Sequence, residues 1–213
     1  MRTSVRFFMP EIFVFENGNM GNTYVLHDGK SAVVFDMGIR GKTLENYLEK
    51  HGLSLLAVLL THGHYDHIMG LGDLSLDVPL YIGSGDADYL RDPGLNLGED
   101  FFGKPFVLDK IEPKTLSGGE AIQIGPFAIQ AIATPFHTGG SLCYYLKGEG
   151  ILFSGDTLFR LSIGRSDLPG SCPRFQRASL AKLKALPLAT KVYPGHGKPT
   201  EIAFEITHGF LRE

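Results

Sequence analysis

The chain has 213 residues, 43% of them hydrophobic and 20% charged, ordinary proportions for a globular protein able to bury a substantial core. Its 20 Lys and Arg against 23 Asp and Glu give a formal charge of -3 with no basic run, which argues against a phosphate-tracking surface and a nucleic-acid partner. No uninterrupted apolar segment approaches the roughly 20 residues needed to cross a bilayer, and Cys143 and Cys172 are too few and wrongly spaced for a disulfide framework. The apolar stretch from Phe7 to Phe15 is broken by Pro10 and Glu11, and no cleavage site follows it. The expectation is a cytoplasmic protein without a membrane partner. No repeat or linker divides residues 1–213, so one domain is expected.

Strand signals open the chain at 12–15, 22–27 and 32–36, separated by Asn17-Gly18 and Asp28-Gly29 turn pairs, and suggest an antiparallel meander. A helix over 43–51 follows, with Leu44, Tyr47 and Leu48 at helical spacing, Thr43 as a cap and Gly52 as the stop. Strands at 55–60 and 79–82 complete a strand, helix, strand pattern. The section 84–105 has weak periodicity and reads as a mobile flap or substrate-facing insert. Strands resume at 121–124, 127–133, 142–146 and 151–153, implying a second sheet, and a helix over 177–186, a strand at 191–193 and a short helix over 201–206 end the chain.

The strand at 55–60 delivers Thr61-His62-Gly63-His64-Tyr65-Asp66-His67, four potential metal ligands in six residues. A single His is commonly a core residue, but several imidazoles with a carboxylate would each need a separate partner if buried. A mixed His and Asp set favours a transition metal over calcium or magnesium. In an extended segment alternate side chains share a side, so His62, His64 and Asp66 are expected to converge while His67 points elsewhere. Three further polar residues sit where later strands hand over to loops rich in Gly or Pro: His137, Asp156 and His196. A carboxylate between two cations can hold both, with His from separate loops completing each coordination sphere.

These seven positions resemble the metallo-beta-lactamase superfamily, whose THxHxDH loop and later separated His, Asp and His ligands all have counterparts here over nearly the whole chain. More narrowly, Gly155-Asp156-Thr157-Leu158-Phe159-Arg160, Gly164-Arg165-Ser166-Asp167-Leu168-Pro169 and Val192-Tyr193-Pro194-Gly195-His196-Gly197 are similar to the short glyoxalase II-like hydrolases, relatives of hydroxyacylglutathione hydrolase. The resemblance implies an α+β fold, a four-layered αβ/βα sandwich of two mixed sheets with a two-metal centre at one edge. It implies that His62, His64 and His137 hold one ion and Asp66, His67 and His196 a second, with Asp156 bridging. The implied cofactors are two divalent ions, zinc first, with iron and manganese as alternatives. This set uses five of the eight histidines.

The activity implied is hydrolysis of a small-molecule thioester, S-lactoylglutathione or a related acyl-glutathione, by a hydroxide bridging the ions, with Asp66 and Asp156 as the catalytic carboxylates. A thiol, with a reference pKa near about 8.5, leaves without a dedicated general acid. Arg165 is implied to face a glutathione carboxylate, with Tyr144, Tyr145 and Lys147 as further substrate contacts. Phe136 stands before the ligand His137 where the family commonly has glycine, and is expected beside the metals, shaping the substrate mouth; Gly139 stands where proline is usual. With 17 residues after His196, the helical C-terminal extension of full-length glyoxalase II is not expected here. Three alternatives stay open: a persulfide dioxygenase with one iron on two His and one Asp, a lactone or lactam hydrolase, and a metal-binding module without turnover. Asp66 argues against those zinc beta-lactamases that carry Cys at its position.

Overall fold

The computed structural model describes residues 10–212, so Phe7 to Met9 of the opening apolar stretch lie outside the described residues. The first half of the chain contributes β1 (Glu11–Phe15), β2 (Thr23–His27), β3 (Ser31–Phe35), α1 (Gly41–His51), β4 (Ser54–Leu59), α2 (Tyr65–Ile68), β5 (Leu80–Gly83), α3 (Pro93–Asn96), α4 (Gly98–Phe102) and β6 (Lys114–Leu116). The second half contributes β7 (Ala121–Ile124), β8 (Phe127–Ala133), β9 (Leu142–Leu146), β10 (Ile151–Gly155), β11 (Leu158–Phe159), β12 (Ser162–Ile163), α5 (Gln176–Lys184), β13 (Lys191–Pro194), β14 (Thr200–Glu201) and α6 (Ile202–His208). Two six-stranded mixed sheets result, in the orders β1-β2-β3-β4-β5-β6 and β14-β13-β10-β9-β8-β7. The meander β1 to β3 is antiparallel as expected, while β3, β4, β5 and β6 run parallel.

Alternation along the strands sorts side chains into three apolar layers. Tyr24, Leu26, Val33, Phe35, Ala57 and Leu59 face Leu142, Tyr144, Leu146, Ile151 and Phe153 across the space between the sheets. The intervening Val25, Ala32, Val34 and Val58 point the other way and pack under Leu44 and Leu48 of α1. On the far side, Cys143, Tyr145, Leu152 and Val192 meet Leu183 of α5 and Ile202 of α6. Strands buried on both faces read as apolar runs rather than alternating ones, and the layers are helix, sheet, sheet, helix. No helix among the described residues is long and apolar enough to cross a membrane.

Helix α1 ends where Gly52 adopts φ 64, a left-handed conformation glycine takes without a Cβ penalty, and Leu53 N–H closes back on Leu48 O at 2.9 Å. Its start differs from expectation: Thr43 lies inside the helix, Arg40 is the flanking residue, and the free Gly41 N–H donates to Asp73 Oδ1 at 2.7 Å. The section 84–105 is a chain of short helical turns rather than a loose loop, with α3 capped by Asp92, whose side chain accepts from Gly94 and Leu95 N–H. Strands β6, β11, β12 and β14, of two or three residues, escaped sequence reading because no periodicity fits in that length.

The inter-sheet layer is anchored by Phe35 and Phe153, stacked at 3.8 Å and 14° and both fully buried. Phe153→Ala removes a fully buried ring from the inter-sheet core and should lower the unfolding free energy by about 3–5 kcal/mol, measurable as a shift in the urea midpoint at unchanged slope.

Candidate metal centre

All seven candidate donors follow strand ends on one edge of the paired sheets. Strand β4 runs into the loop carrying His62 and His64, β8 into the His137 loop, β10 into Asp156 and β13 into His196. The edge is stitched across the two sheets: Leu142 N–H donates to Thr61 O at 2.8 Å, and Asn22 N–H to Gly195 O at 2.7 Å. The extended alternation holds only as far as His64, since Tyr65–Ile68 turns into α2. Asp66 therefore does not join His62 and His64. It gathers with His67 and His196, while His62 and His64 gather with His137.

Within each group the candidate ligand atoms lie within 4.8 Å of one another. His64 Nδ1 is 3.0 Å from His137 Nε2, and His196 Nε2 is 3.1 Å from Asp66 Oδ2 and 3.3 Å from His67 Nε2. Asp156 spans the two groups, with Oδ1 3.4 Å from His67 Nε2 and Oδ2 3.5 Å from His137 Nε2 and 3.6 Å from His196 Nε2. Buried His62 Nε2 and Asp156 Oδ1 have no hydrogen-bond partner. Each such atom costs roughly 1–3 kcal/mol, and a shared cation removes that cost, so the residues present fit a pair of divalent ions.

Three of the five rings have the distal nitrogen held as in ligand imidazoles, by a partner behind the ring. His67 Nδ1 faces Asp36 Oδ2 at 2.9 Å, His137 Nδ1 donates to Arg165 O at 2.7 Å, and His62 Nδ1 lies 3.1 Å from Thr61 Oγ1. Asp36 also accepts from Thr61 N–H at 2.7 Å and Thr61 Oγ1 at 2.8 Å, with its backbone at φ 58. Sequence reading missed Asp36, although it ends an apolar strand just as Asp156 does. Asn22 was read only as part of a strand, yet its amide grips Pro194 O and Gly197 O on both sides of His196.

Electrostatics divide the cluster. Burial keeps His62 neutral, and burial aided by His137 pushes His64 down to about 3, so both offer free lone pairs at neutral pH. For Asp66 burial works upward but is outweighed by His67 and His196, and Asp156 is likewise held well below the usual carboxylate range by His67, His137 and His196. His67 responds in kind: burial works against its charged form, yet Asp66, Asp36 and Asp156 draw its pKa up. The centre of the cluster therefore calls for positive charge.

The sequence profile of the Metallo-beta-lactamase superfamily matches residues 17–196. The chain belongs to that superfamily. It is 36% identical over 187 residues to the "Probable metallo-hydrolase YqgX" of Bacillus subtilis (strain 168), spanning 86% of this chain and 88% of that one. It is 32% identical over 187 residues to the "Hydroxyacylglutathione hydrolase" of Brucella ovis, spanning 87% of this chain but 65% of that one. Among solved structures, the BLEG-1 B3 metallo-beta-lactamase superposes with TM-score 0.87 at 37% identity over 93% of this chain and 98% of that one. TTHA1623 in a di-iron-bound form superposes with TM-score 0.81 at 32% identity over 92% and 98%.

In this superfamily member the donors open into a cleft of about 490 Å³ lined by His64, Asp66, His137, Asp156 and His196 together with Leu97, Phe101, Phe159, Leu168 and Arg165. Leu97 and Phe101 come from the section 84–105, which thus faces the cleft. Of the five substrate contacts expected from sequence, only Arg165 is there, and its guanidinium lies on Asp167 at 2.7 and 2.8 Å. Tyr144 is a correction: it is fully buried between the sheets and its hydroxyl donates to Leu60 O at 2.8 Å. Tyr145 points to the opposite face of the same strand and Lys147 lies past its far end, both bordering a separate hollow over β7 and β8. Phe136 is fully buried too and does not line the cleft, so it cannot shape the mouth as expected.

Gly195 is where the packing leaves no margin. A Cβ there would meet Asp156 Oδ1 at 2.1 Å and His67 Cε1 at 2.8 Å. Gly195→Ala should displace the spanning carboxylate and weaken metal affinity by about 10–100-fold, read by metal content after dialysis, with the far-UV circular dichroism unchanged.

Proposed function

We propose that this metal-dependent hydrolase of the metallo-beta-lactamase superfamily cleaves thioesters, with S-lactoylglutathione or a related acyl-glutathione as first candidate. The observation that carries the reading is the paired donor groups spanned by Asp156 at the floor of an open, largely apolar cleft with one guanidinium at its rim. His62, His64 and His137 would hold one ion, Asp66, His67 and His196 the other, and Asp156 both. When bound, such a pair supplies Lewis-acid polarisation of a carbonyl and a water acidic enough to lose its proton near neutral pH. Imidazole and carboxylate donors suit zinc, and equally the two irons named for the similar solved structure.

The chain's own groups complete the task. Asp66, ionised and lining the cleft, can accept a hydrogen bond from a water at its carboxylate and hold it in one orientation. Leu97, Phe101 and Leu168 exclude bulk water from the acyl group, which strengthens every electrostatic contact there. The leaving thiolate needs no proton donor, given a reference pKa near about 8.5. The Arg165–Asp167 pair is exposed and solvent-screened, so a substrate carboxylate can replace Asp167 on the guanidinium. The Brucella relative named as a hydroxyacylglutathione hydrolase supports this substrate class. A second reading, lactam opening, is favoured by the likeness to the B3 metallo-beta-lactamase structure.

Purified protein of known metal content should hydrolyse S-lactoylglutathione with about two ions per chain, lose turnover on chelation and regain it on returning metal. Oxygen uptake on glutathione persulfide with one iron per chain, or faster opening of a chromogenic cephalosporin, would replace the thioesterase reading. Asp156→Ala should cost at least the roughly 10–100-fold that loss of an outer partner costs, in metal affinity and in hydrolysis together. Arg165→Ala should raise KM for S-lactoylglutathione about tenfold with kcat little changed, the mark of lost uniform binding. An unchanged KM would remove Arg165 from substrate recognition.

A further inference from the structure

Asp86 supplies nothing to the donor groups, yet it is fully buried at their back, in the turn Ser84–Leu90 that follows β5. Its Oδ2 accepts from Gly63 N–H at 3.0 Å and from Thr138 Oγ1 at 2.7 Å, and its Oδ1 from Gly140 N–H at 2.6 Å. Gly63 lies between His62 and His64, and Thr138 follows His137. One carboxylate thus joins the two loops that carry all three imidazoles of one donor group, loops that come from different sheets.

We propose that Asp86 is a positioning residue that sets the spacing of His62 and His64 against His137, and so the affinity of that group for its ion. The inference rests on the two-ion reading above. Three charge-assisted hydrogen bonds on one buried carboxylate are stronger than neutral ones and fix direction as well as distance. Close backbone contact enforces the same geometry: a Cβ on Gly140 would meet Asp86 N at 2.4 Å, and one on Gly83 would meet Gly140 O at 1.8 Å. Thr138 is in turn locked from behind, its hydroxyl 2.7 Å from Ser141 Oγ and its N–H donating to the same oxygen at 3.1 Å. Nothing comparable from Asp86 reaches Asp66, His67 or His196, so its influence falls on one ion and not the other.

The test is a zinc titration of chelator-stripped full-length protein in competition with a colorimetric chelator. Wild type should take up two ions. Asp86→Asn keeps the size but turns one acceptor into an amide that cannot receive an N–H, and should weaken one ion by about 10–100-fold while the other binds as before. Thr138→Val, which removes a single donor, should weaken the same ion less, and Thr138→Ser should restore wild-type binding. The inference is overturned if Asp86→Asn binds both ions as wild type does, or if a folded Asp86→Asn loses both equally. Should Asp86→Asn fail to fold, the two Thr138 variants decide: equal binding by Val and Ser overturns it. Fewer than two ions on wild type overturns the two-ion reading itself, and this inference with it.

Discussion

Two carboxylates and five imidazoles, crowded together under cover of two sheets, form the constraint to which the surrounding structure answers. Asp66 and Asp156 repel one another, and the buried imidazoles lose hydration, so such a cluster depends on groups that hold its members from behind. Those partners come from every side: Asp36 behind His67, Thr61 behind His62, the backbone of Arg165 behind His137, and Asn22 around the His196 loop. The strand ends are therefore less a platform than a frame, in which backbone groups of both sheets are spent on orienting side chains.

The donors were legible because their chemistry is out of place. One apolar strand ending in His or Asp says little, as His27 at the end of β2 illustrates, but several such endings together with the His-rich loop point to a site. The strands were legible from their composition, and β7, β8 and β9 begin and end where their patterns do. What failed was inference from proximity in sequence. Phe136 adjoins His137 in the turn after β8, yet its ring is fully buried; Tyr144 sits on a strand that begins beside the site, yet alternation turns it into the packed interior. Asp86 carried no readable signal, because its importance arises from three donors distant in sequence, at Gly63, Thr138 and Gly140.

The cleft shows a division of labour along the section 84–105. Its first turn is welded to the donor loops through Asp86, while its later turns present Leu97 and Phe101 to the open space. Weak periodicity in sequence reflects turns too short for any repeat, not looseness. Rigid anchoring at one end and apolar display at the other is how a short insert can shape a substrate without disturbing the chemistry behind it.

The two large sheets are also consecutive in the chain, β1 to β6 ending at Leu116 and the strands of the second, β7 to β10 with β13 and β14, beginning at Ala121. His62, His64, Asp66 and His67 belong to the first stretch; His137, Asp156 and His196 belong to the second. A chain ending at Leu116 would hold four of the seven donors and leave uncovered the face of Tyr24, Leu26, Val33, Phe35, Ala57 and Leu59, which meets the second sheet. Neither half holds a full donor group, so the centre exists only where the two halves meet, and a break in the short connection between the sheets would leave the contacts across their faces alone to hold it together.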